Sequence, residues 1–419
     1  MKRFALVALL AATLFGVSNA SATELKVKGS FDVYGMWSSN LMDFDSEIAD
    51  GDNYMTTQRM RTYFTYQANE NLKAVLGLEL DNVWGDNVDN VGGDWGTDGK
   101  GNLEVKHAYL DFNFPDTAIN VKAGLQYVAL PGIFGNPVFD EDAAALVVSA
   151  PINDMFALAV GYSRGVDNDY NTEGVVGVDK DDADMAFLAA PITLDGFNVT
   201  PYFAFGWLGE NSGASLSASD DTSVWVLGAN AALTMFDPFT LEADLIYGAG
   251  ESDDVETKGW YGALAASYKM DMVTPVLFTT YFSGHDDDLT DDNVLPQLAE
   301  GWGISPYTGG VRAFNTTYDT FSGVDNACWA IGLKLADISF VENLSHELTG
   351  AYLMGTSDED AGVAFDEEDS AWEVYMVNKY MIYENLAAIN ELGFVYPEFD
   401  DVDDEDTSYF ATVGFQYKF

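Results

Sequence analysis

Apolar and polar side chains alternate along most of this chain. The first such stretch shows the pattern, with Leu25, Val27, Phe31, Val33 and Trp37 alternating with Lys26, Lys28, Ser30, Asp32 and Tyr34. A period of two residues indicates β-strands that have one apolar face and one polar face. We therefore expect an all-β protein.

The same alternation recurs to the end of the chain, and short turns alternate with long acidic, Gly-rich loops between the stretches. Single-chain bacterial barrels have an even number of antiparallel strands, with short turns at one rim and long loops at the other. We predict a transmembrane, antiparallel, up-and-down β-barrel with short periplasmic turns and long acidic extracellular loops. The region around 143–151 and the long loop 285–326 are the least regular parts, so sixteen strands remain an alternative to eighteen. The eighteen predicted strands are 25–37, 59–68, 73–81, 107–114, 119–127, 143–151, 155–164, 184–194, 197–208, 222–235, 238–250, 258–270, 273–284, 327–340, 344–354, 371–383, 385–396 and 407–419.

In the first five predicted strands the charged side chains occupy one face only. An Arg or Lys on the lipid-facing surface costs about 2 to 4 kcal/mol at the bilayer midplane, so the charged face must line a water-filled lumen. The predicted pore-lining residues are Lys28, Asp32, Glu79, Asp81, His107, Asp111 and Gln126. Aromatic residues near strand ends are predicted to form interfacial girdles, and they are Trp37, Trp84, Tyr127, Trp207, Trp260, Trp302 and Tyr383.

The N-terminus predicts export. Lys2 and Arg3 precede the apolar run Phe4–Phe15, and Ala20-Ser21-Ala22 fits a cleavage site, so residues 1–22 read as a cleaved signal peptide. Residues 23–419 then form one barrel domain. Cys328 is the only cysteine, which excludes an intrachain disulfide.

The strongly negative net charge limits the partners that this protein is expected to bind. Loss of the two basic residues of the signal peptide changes the formal net charge from -50 to -52. Such a chain is not expected to bind nucleic acid, because phosphate contacts need Lys and Arg. The acidic residues concentrate in loops, where they would make a vestibule negative and attract cations. No tightly bound cofactor is expected, although weak Ca²⁺ or Mg²⁺ binding, with bridging to lipid A, is predicted at Asp286, Asp287, Asp288, Asp403 and Asp404.

We do not expect an enzyme. The chain has no H-E-x-x-H motif and no P-loop, and the three histidines, His107, His285 and His346, lie far apart in sequence. A nucleophile without a base in reach is not activated.

The last strand is the most specific local signal. Phe415, Tyr417 and the terminal Phe419 fall on one face together with Tyr409 and Val413. This ending resembles the C-terminal assembly signal of outer-membrane barrels. The resemblance implies that the barrel-assembly machinery recognises these aromatic residues.

The order of strands and loops resembles that of the general trimeric porins. In that family the loop after the fifth strand folds into the barrel, and here it corresponds to the segment near 129–142. Its sequence matches the Pro-Glu-Phe-Gly-Gly signature of the family only weakly. The resemblance therefore rests on the position of this loop after the fifth strand. The resemblance implies a constriction in which loop carboxylates face a basic wall. The carboxylates would be Asp140, Glu141 and Asp142, and the basic residues Arg59, Arg61, Lys73 and Lys122. Alternatively, Arg59 and Arg61 pair only with wall carboxylates such as Glu79 or Asp81.

These observations predict an integral protein of the Gram-negative outer membrane, in contact with its lipid and lipopolysaccharide. The expected function is a porin for passive diffusion of ions and small hydrophilic solutes, with a preference for cations. A homotrimer is implied by the resemblance alone. Two alternatives stay open: a substrate-specific channel like the sugar-specific porins, and an acidic surface protein or adhesin without a pore.

Overall fold

The computed structural model describes residues 23–41, 44, 52–85, 95, 102–167, 182–210, 212, 220–253, 255–288, 290–310, 312–314, 327–363, 365–400 and 405–419. The predicted signal peptide, residues 1–22, and the predicted cation-binding residues Asp403 and Asp404 lie outside this part of the chain.

Eighteen strands form the described wall. They are β1 (Glu24–Ser39), β2 (Asp52–Asn69), β3 (Leu72–Val83), β4 (Asn102–Asn113), β5 (Asn120–Ala129), β6 (Asp140–Pro151), β7 (Ala157–Asp167), β8 (Asp182–Ala189 with Ile192–Leu194), β9 (Phe197–Leu208), β10 (Thr222–Phe236), β11 (Phe239–Glu251), β12 (Glu256–Tyr268), β13 (Thr274–Phe282), β14 (Cys328–Val341), β15 (Leu344–Gly355), β16 (Ser370–Tyr383), β17 (Leu386–Glu398) and β18 (Ser408–Lys418). Both parts of β8 pair with β9, and Pro191, which has no N–H to donate, lies between them.

Every neighbouring pair of wall strands is antiparallel, and β1 pairs with β18, from Ser30 opposite Lys418 to Ser39 opposite Tyr409. The sheet is therefore closed. The predicted barrel and its count of eighteen strands are confirmed, and the sixteen-stranded alternative is wrong. The doubtful strand at 143–151 is β6.

Short turns such as 342–343 and 384–385 join strands at one rim, which we call the short-turn rim. At the opposite, long-loop rim the connections are mostly long, the longest being 283–327. That loop contains the two-residue strand Asp291–Asp292 and the 3-10 turn Pro306–Thr308. No helix among the described residues is long and apolar enough to span a bilayer.

Alternation along the strands separates an apolar exterior from the interior. On β11, Leu245 is 62% exposed and the next residue, Ile246, is 1% exposed. Leu264 and Leu277 on β12 and β13 are likewise exposed on the outside. Large apolar side chains on the outer surface of a closed barrel suit a lipid environment.

The predicted aromatic girdles are only partly observed. Trp37, Trp207 and Trp260 are exposed near the long-loop ends of their strands. Trp302 is not a girdle residue, because it is 5% exposed and its Nε1 donates to the Tyr261 hydroxyl at 3.0 Å inside the barrel. The sequence prediction failed for Trp302 because an aromatic residue in a long loop can pack in the interior as readily as at the membrane surface.

The barrel interior is partly filled by two segments from the long-loop rim, 130–139 and the described residues of 292–314, which are 292–310 and 312–314. They are hydrogen-bonded to each other: Leu298 N donates to Val138 O at 3.0 Å, and Gly303 N donates to Phe134 O at 2.9 Å. The resulting apolar cluster includes Val138 and Leu295. It packs on the inward faces of the wall from β8 to β18, where many side chains are small.

Candidate functional site

A wall of ion pairs lines the part of the interior that these segments leave uncovered. Arg59 Nε lies 2.6 Å from Asp81 Oδ1, and Arg61 forms an ion pair with Glu79. Each pair consists of directly opposed residues of β2 and β3. The side chains of Arg59 and Arg61 keep about a fifth of their surface exposed, 22% and 21%. The predicted wall pairing is therefore observed, and the constriction role of these residues remains a prediction.

The other two predicted basic residues form a separate group nearer the short-turn rim. Lys73 Nζ lies 3.0 Å from Asp111 Oδ2, and Lys122 stands opposite Asp111 in the β4–β5 register. Along β3, Lys73 lies six residues from Glu79, the residue opposite Arg61. The Lys73–Lys122 group and the Arg59–Arg61 group are therefore about six residues apart along the strands. At about 3.4 Å per residue this is roughly 20 Å. The four residues do not form one cluster.

The three predicted loop carboxylates open strand β6 and are not in the loop, which corrects the sequence analysis. Asp142 Oδ1 lies 3.0 Å from His107 Nε2, and its other oxygen forms an ion pair with Lys106. Asp140 accepts a hydrogen bond from the Tyr127 hydroxyl. Glu141 is exposed, and its carboxylate accepts from the Asp142 amide. Asp142 thus faces Lys106 and His107 of β4.

Sequence reasoning missed Lys106. The β3–β4 register shifts there, since Gly77 is opposite His107 and Leu78 is opposite Val105. This β-bulge lets the consecutive residues Lys106 and His107 both reach Asp142. A strict two-residue period assigns them to opposite faces, and no local signal in the sequence marks the bulge.

The tip of the β5–β6 hairpin leaves the wall. The β4–β5 pairing ends at Ala108 opposite Leu125, although β5 continues to Ala129. At this point Gly124 has a φ of +128°, and a Cβ on it would lie 2.3 Å from Ala108 O. Only glycine tolerates that approach. We call residues 126–143 the hairpin tip.

Wall residues hold the hairpin tip in the interior. Asp244 Oδ2 on β11 accepts from Ile133 N at 2.7 Å, and Asn136 Nδ2 donates to the Tyr202 hydroxyl on β9 at 3.0 Å. Phe134 packs on Phe278 of β13 with ring centroids 5.2 Å apart. The predicted inward-folded segment near 129–142 therefore lies against the wall opposite its own strand pair.

The second inward segment was not foreseen, because 285–326 shows no alternation. Ser305 Oγ donates to Glu373 Oε2 at 2.6 Å, and Ala313 N donates to Glu391 Oε1 at 2.9 Å. Further along, Phe314 stacks on Tyr34 of β1 with centroids 4.5 Å apart. The segment therefore follows the inner wall to β1.

The remaining predicted pore-lining residues differ in exposure. Lys28 is exposed near the short-turn end of β1. Asp32 is 0% exposed and stands opposite Arg59 and Gln416 in the register. Gln126 is buried, and its amide donates to Ala145 O at 3.0 Å. Pore lining by Asp32 and Gln126 therefore stays a prediction that their burial does not favour.

The acidic loop residues Asp286, Asp287 and Asp288 follow β13. The hydrogen bond with Asp286 and the neighbouring carboxylates raise the pKa of Asp287, whereas the hydroxyl of Thr290 lowers the pKa of Asp288. Within the described residues, no group of three or more His, Cys, Asp or Glu side chains is arranged to hold a metal ion. Weak Ca²⁺ or Mg²⁺ binding remains a prediction.

A G-x-S-x-G motif was also expected to be absent, which is wrong, because residues 161–165 read Gly-Tyr-Ser-Arg-Gly and match the spacing found in hydrolases. Ser163 lies within the extended strand β7 and is 2% exposed, and its Oγ donates to Ala144 O at 3.1 Å. A nucleophile elbow needs a sharp strand-to-helix turn that exposes the serine. The geometry here does not provide one.

The C-terminal aromatic residues lie on the outer surface of β18. Phe415 is 54% exposed, and Tyr417 and Phe419 are each 39% exposed. The backbone of Phe419 exchanges two hydrogen bonds with Gly29 of β1, at 2.8 and 3.0 Å. Their outward position leaves the aromatic face accessible, and its role as an assembly signal stays a prediction.

No family model matches this chain, and no curated protein matches its sequence. Solved structures match its fold. A BenF-like porin from Pseudomonas fluorescens is 12% identical with a TM-score of 0.58, over 94% of this chain and 98% of that one. OccAB3 from Acinetobacter baumannii is 11% identical with a TM-score of 0.57, over 94% and 99%. The outer membrane protein OprD from Pseudomonas aeruginosa is 12% identical with a TM-score of 0.53, over 96% and 97%.

At these identities the likeness establishes the fold, which is that of closed outer-membrane barrels of the porin type. The apolar exterior of the wall agrees with it. Both findings accord with the predicted integral location in a Gram-negative outer membrane.

Proposed function

We propose that this protein is an outer-membrane channel through which ions and small hydrophilic solutes diffuse passively. The observation that carries the proposal is a charged inner wall within a closed barrel whose outside is apolar. Arg59 and Arg61 retain exposed surface inside the barrel, where only water can hydrate them. The polar face thus points inward, which argues against a surface protein or adhesin without a pore.

A substrate-specific channel is the second candidate, and the filled interior favours it. The hairpin tip and segment 292–314 occupy the side of the lumen formed by β8 to β18. The remaining path follows the ion pairs of β2 and β3 and the Lys106–Asp142 pair. A path lined by fixed charges on closely spaced walls selects solutes by size and charge.

Planar-bilayer recording of the purified protein tests both candidates. We expect discrete conductance steps, because a water-filled lumen conducts small ions. Saturable block of the current by one class of solute would favour the substrate-specific channel, whereas unsaturated currents with many solutes would favour general diffusion. Folded, inserted protein that gives no steps would overturn both.

Cation preference is part of the proposal. Arg59, Arg61 and Lys73 form ion pairs with wall carboxylates and Lys122 stands opposite Asp111, whereas the loop after β13 at the long-loop rim carries Asp286, Asp287 and Asp288 in a row. A negative vestibule enriches cations at the entrance. Reversal potentials under a salt gradient measure this preference, and an anion preference would contradict it.

The remaining partners are also proposals. A homotrimer rests on the sequence resemblance alone, and light scattering of the detergent-solubilised protein would measure its mass. Recognition by the assembly machinery rests on Phe415, Tyr417 and Phe419. The absence of enzyme activity is likewise an expectation.

A further inference from the structure

The wall is interrupted between β4 and the hairpin tip. Strand β4 extends to Asn102, but its pairing with β5 stops at Ala108 opposite Leu125. On the other side, the β6–β7 pairing stops at Ala145 opposite Ser163. Among the described residues, the hairpin tip therefore pairs with neither β4 nor β7; it pairs with itself, from Gln126 opposite Ala143 to Ala129 opposite Asp140, and through Phe139 with Ala299 inside the barrel. Pairing holds strands about 4.8 Å apart, and along this stretch no pairing holds β4 and the hairpin tip at that spacing. We call this interruption of the pairing the gap.

The hairpin tip lies on the inner side of this gap. Gln126 and Val128 are buried on its inward face, while Tyr127 on the opposite face is 58% exposed. Asp142 is opposite Tyr127 in the register and shares that outward face. Yet Asp142 contacts His107, whose ring packs against Tyr63 of the inner wall at 5.3 Å. The outward face of the tip thus meets the inner face of β4.

The gap joins two chemical environments. On the outer surface of its β4 edge, Leu103 and Val105 are 59% and 51% exposed. At its inner end, Lys106, His107 and Asp142 form a cluster whose side chains are 14% to 25% exposed. The apolar outer edge can contact a hydrocarbon chain. At the inner end, the Lys106 ammonium and the His107 ring can bind an anionic head group, which would replace Asp142 as their partner.

We infer that this gap is a lateral opening through which a single-chain amphipathic anion passes between the lumen and the outer half of the bilayer. This route goes beyond axial diffusion of hydrophilic solutes, because its solute partitions into lipid. The ion pairs of Asp142 bridge the opening from β6 to β4 and close it when no anion is present.

The test closes the gap covalently. In a Cys328→Ala background, Glu104→Cys on β4 and Tyr127→Cys on the hairpin tip are joined across the gap by a bis-methanethiosulfonate reagent, and a reductant reverses the link. This pair leaves Lys106, His107 and Asp142 unchanged, since Glu104 stands opposite Glu79 and Tyr127 opposite Asp142. The matched control is Ala74→Cys with Leu110→Cys, which stand directly opposite each other on β3 and β4, where β4 still pairs with β5, and which leave the gap open. Both proteins are placed in nanodiscs and titrated with dansyl-undecanoate, whose fluorescence reports binding.

We expect saturable binding by the reduced E104C/Y127C protein, loss of that binding on cross-linking, and its return on reduction. The control pair should bind in both states. Block of single-channel current by decanoate should follow the same pattern, while butyrate, which stays in water, should act equally in both states. Binding that survives the cross-link, or no saturable binding in any state, would overturn the lateral route. The nanodisc assay does not require conductance, so failure of the channel proposal would be seen separately.

Discussion

At the scale of single residues, buried carboxylates fasten the inward segments to the wall. Glu391 is 0% exposed and accepts three hydrogen bonds: from the Tyr375 hydroxyl at 2.6 Å, Ala313 N at 2.9 Å and Thr412 Oγ1 at 2.8 Å. Asp244 accepts two in the same manner. A buried polar group is tolerated only when its hydrogen bonds are made. These acids therefore fix loop positions and do not face the water path.

The first prediction concerns Glu391. Glu391→Ala leaves the buried donors of Tyr375, Ala313 and Thr412 without their acceptor. Because each unsatisfied group costs about 1 to 3 kcal/mol, the free energy of unfolding should fall by at least that amount. Urea unfolding in detergent measures it. Glu391→Gln is the control: it keeps one acceptor oxygen and should lose less. An unchanged unfolding midpoint in the Ala variant would refute the anchoring role.

The second prediction concerns Gly124. Its φ of +128° and the 2.3 Å approach of Ala108 O leave no space for a Cβ, so Gly124→Ala should destabilise the fold by more than about 1 kcal/mol. Gly350→Ala is the matched control, because a Cβ added there would have its nearest neighbouring atom 3.9 Å away. The folded fraction, read from gel mobility with and without heating, distinguishes them. Equal loss in both variants would contradict the argument.

At the scale of elements, alternation predicted nearly every strand, because each strand of a membrane barrel must separate lipid from the interior along its own length. The alternation of apolar and polar residues could not predict which inward-facing residues contact water and which contact packed protein segments. The inward residues of β8 to β18 meet packed segments, while those of β2 and β3 meet solvent, and that difference depends on loops distant in sequence. For the same reason Asp140 was assigned to a loop, Trp302 to a girdle and Lys106 to no site.

The third prediction concerns the hairpin tip. Asp244→Ala removes the acceptor of Ile133 N and so releases the tip from β11. Single-channel conductance should rise and fluctuate, because the tip can then move within the lumen. Leu245→Ala, on the lipid-facing side of the same strand, is the control and should leave the current unchanged. A steady, parental conductance in Asp244→Ala would show that the tip does not bound the path.

At the scale of the whole molecule, charge is segregated. The inner wall holds matched pairs such as Arg61 with Glu79 and Lys106 with Asp142, whereas the loop after β13 carries three consecutive aspartates. In the proposed channel, long-range attraction of cations would therefore arise at the rim, and short-range sorting of solutes would arise inside. The two contributions respond differently to salt.

The fourth prediction separates the contribution of the rim charges to cation preference from that of the ion pairs in the lumen. The Debye length falls from about 10 Å at 0.1 M salt to about 3 Å at 1 M, so rim charges are screened while contact pairs in the lumen are not. The cation-to-anion permeability ratio should decrease markedly over this range. Reversal potentials at a fixed gradient ratio, measured at low and high salt, provide the test. A constant ratio would assign selectivity to the lumen alone.

The apolar filling of the interior limits how permeation through the proposed channel could be redesigned. Ala204, Ala330 and Ala371 occupy inward positions with 0% exposure, which in an open pore would be obvious places to introduce bulk. Here a larger side chain would collide with the packed segments and strain the fold, as overpacking does in soluble proteins. Engineers who wish to alter permeation must therefore work on β2, β3 and the edge of β4, since elsewhere a mutation that looks like pore design would act on folding.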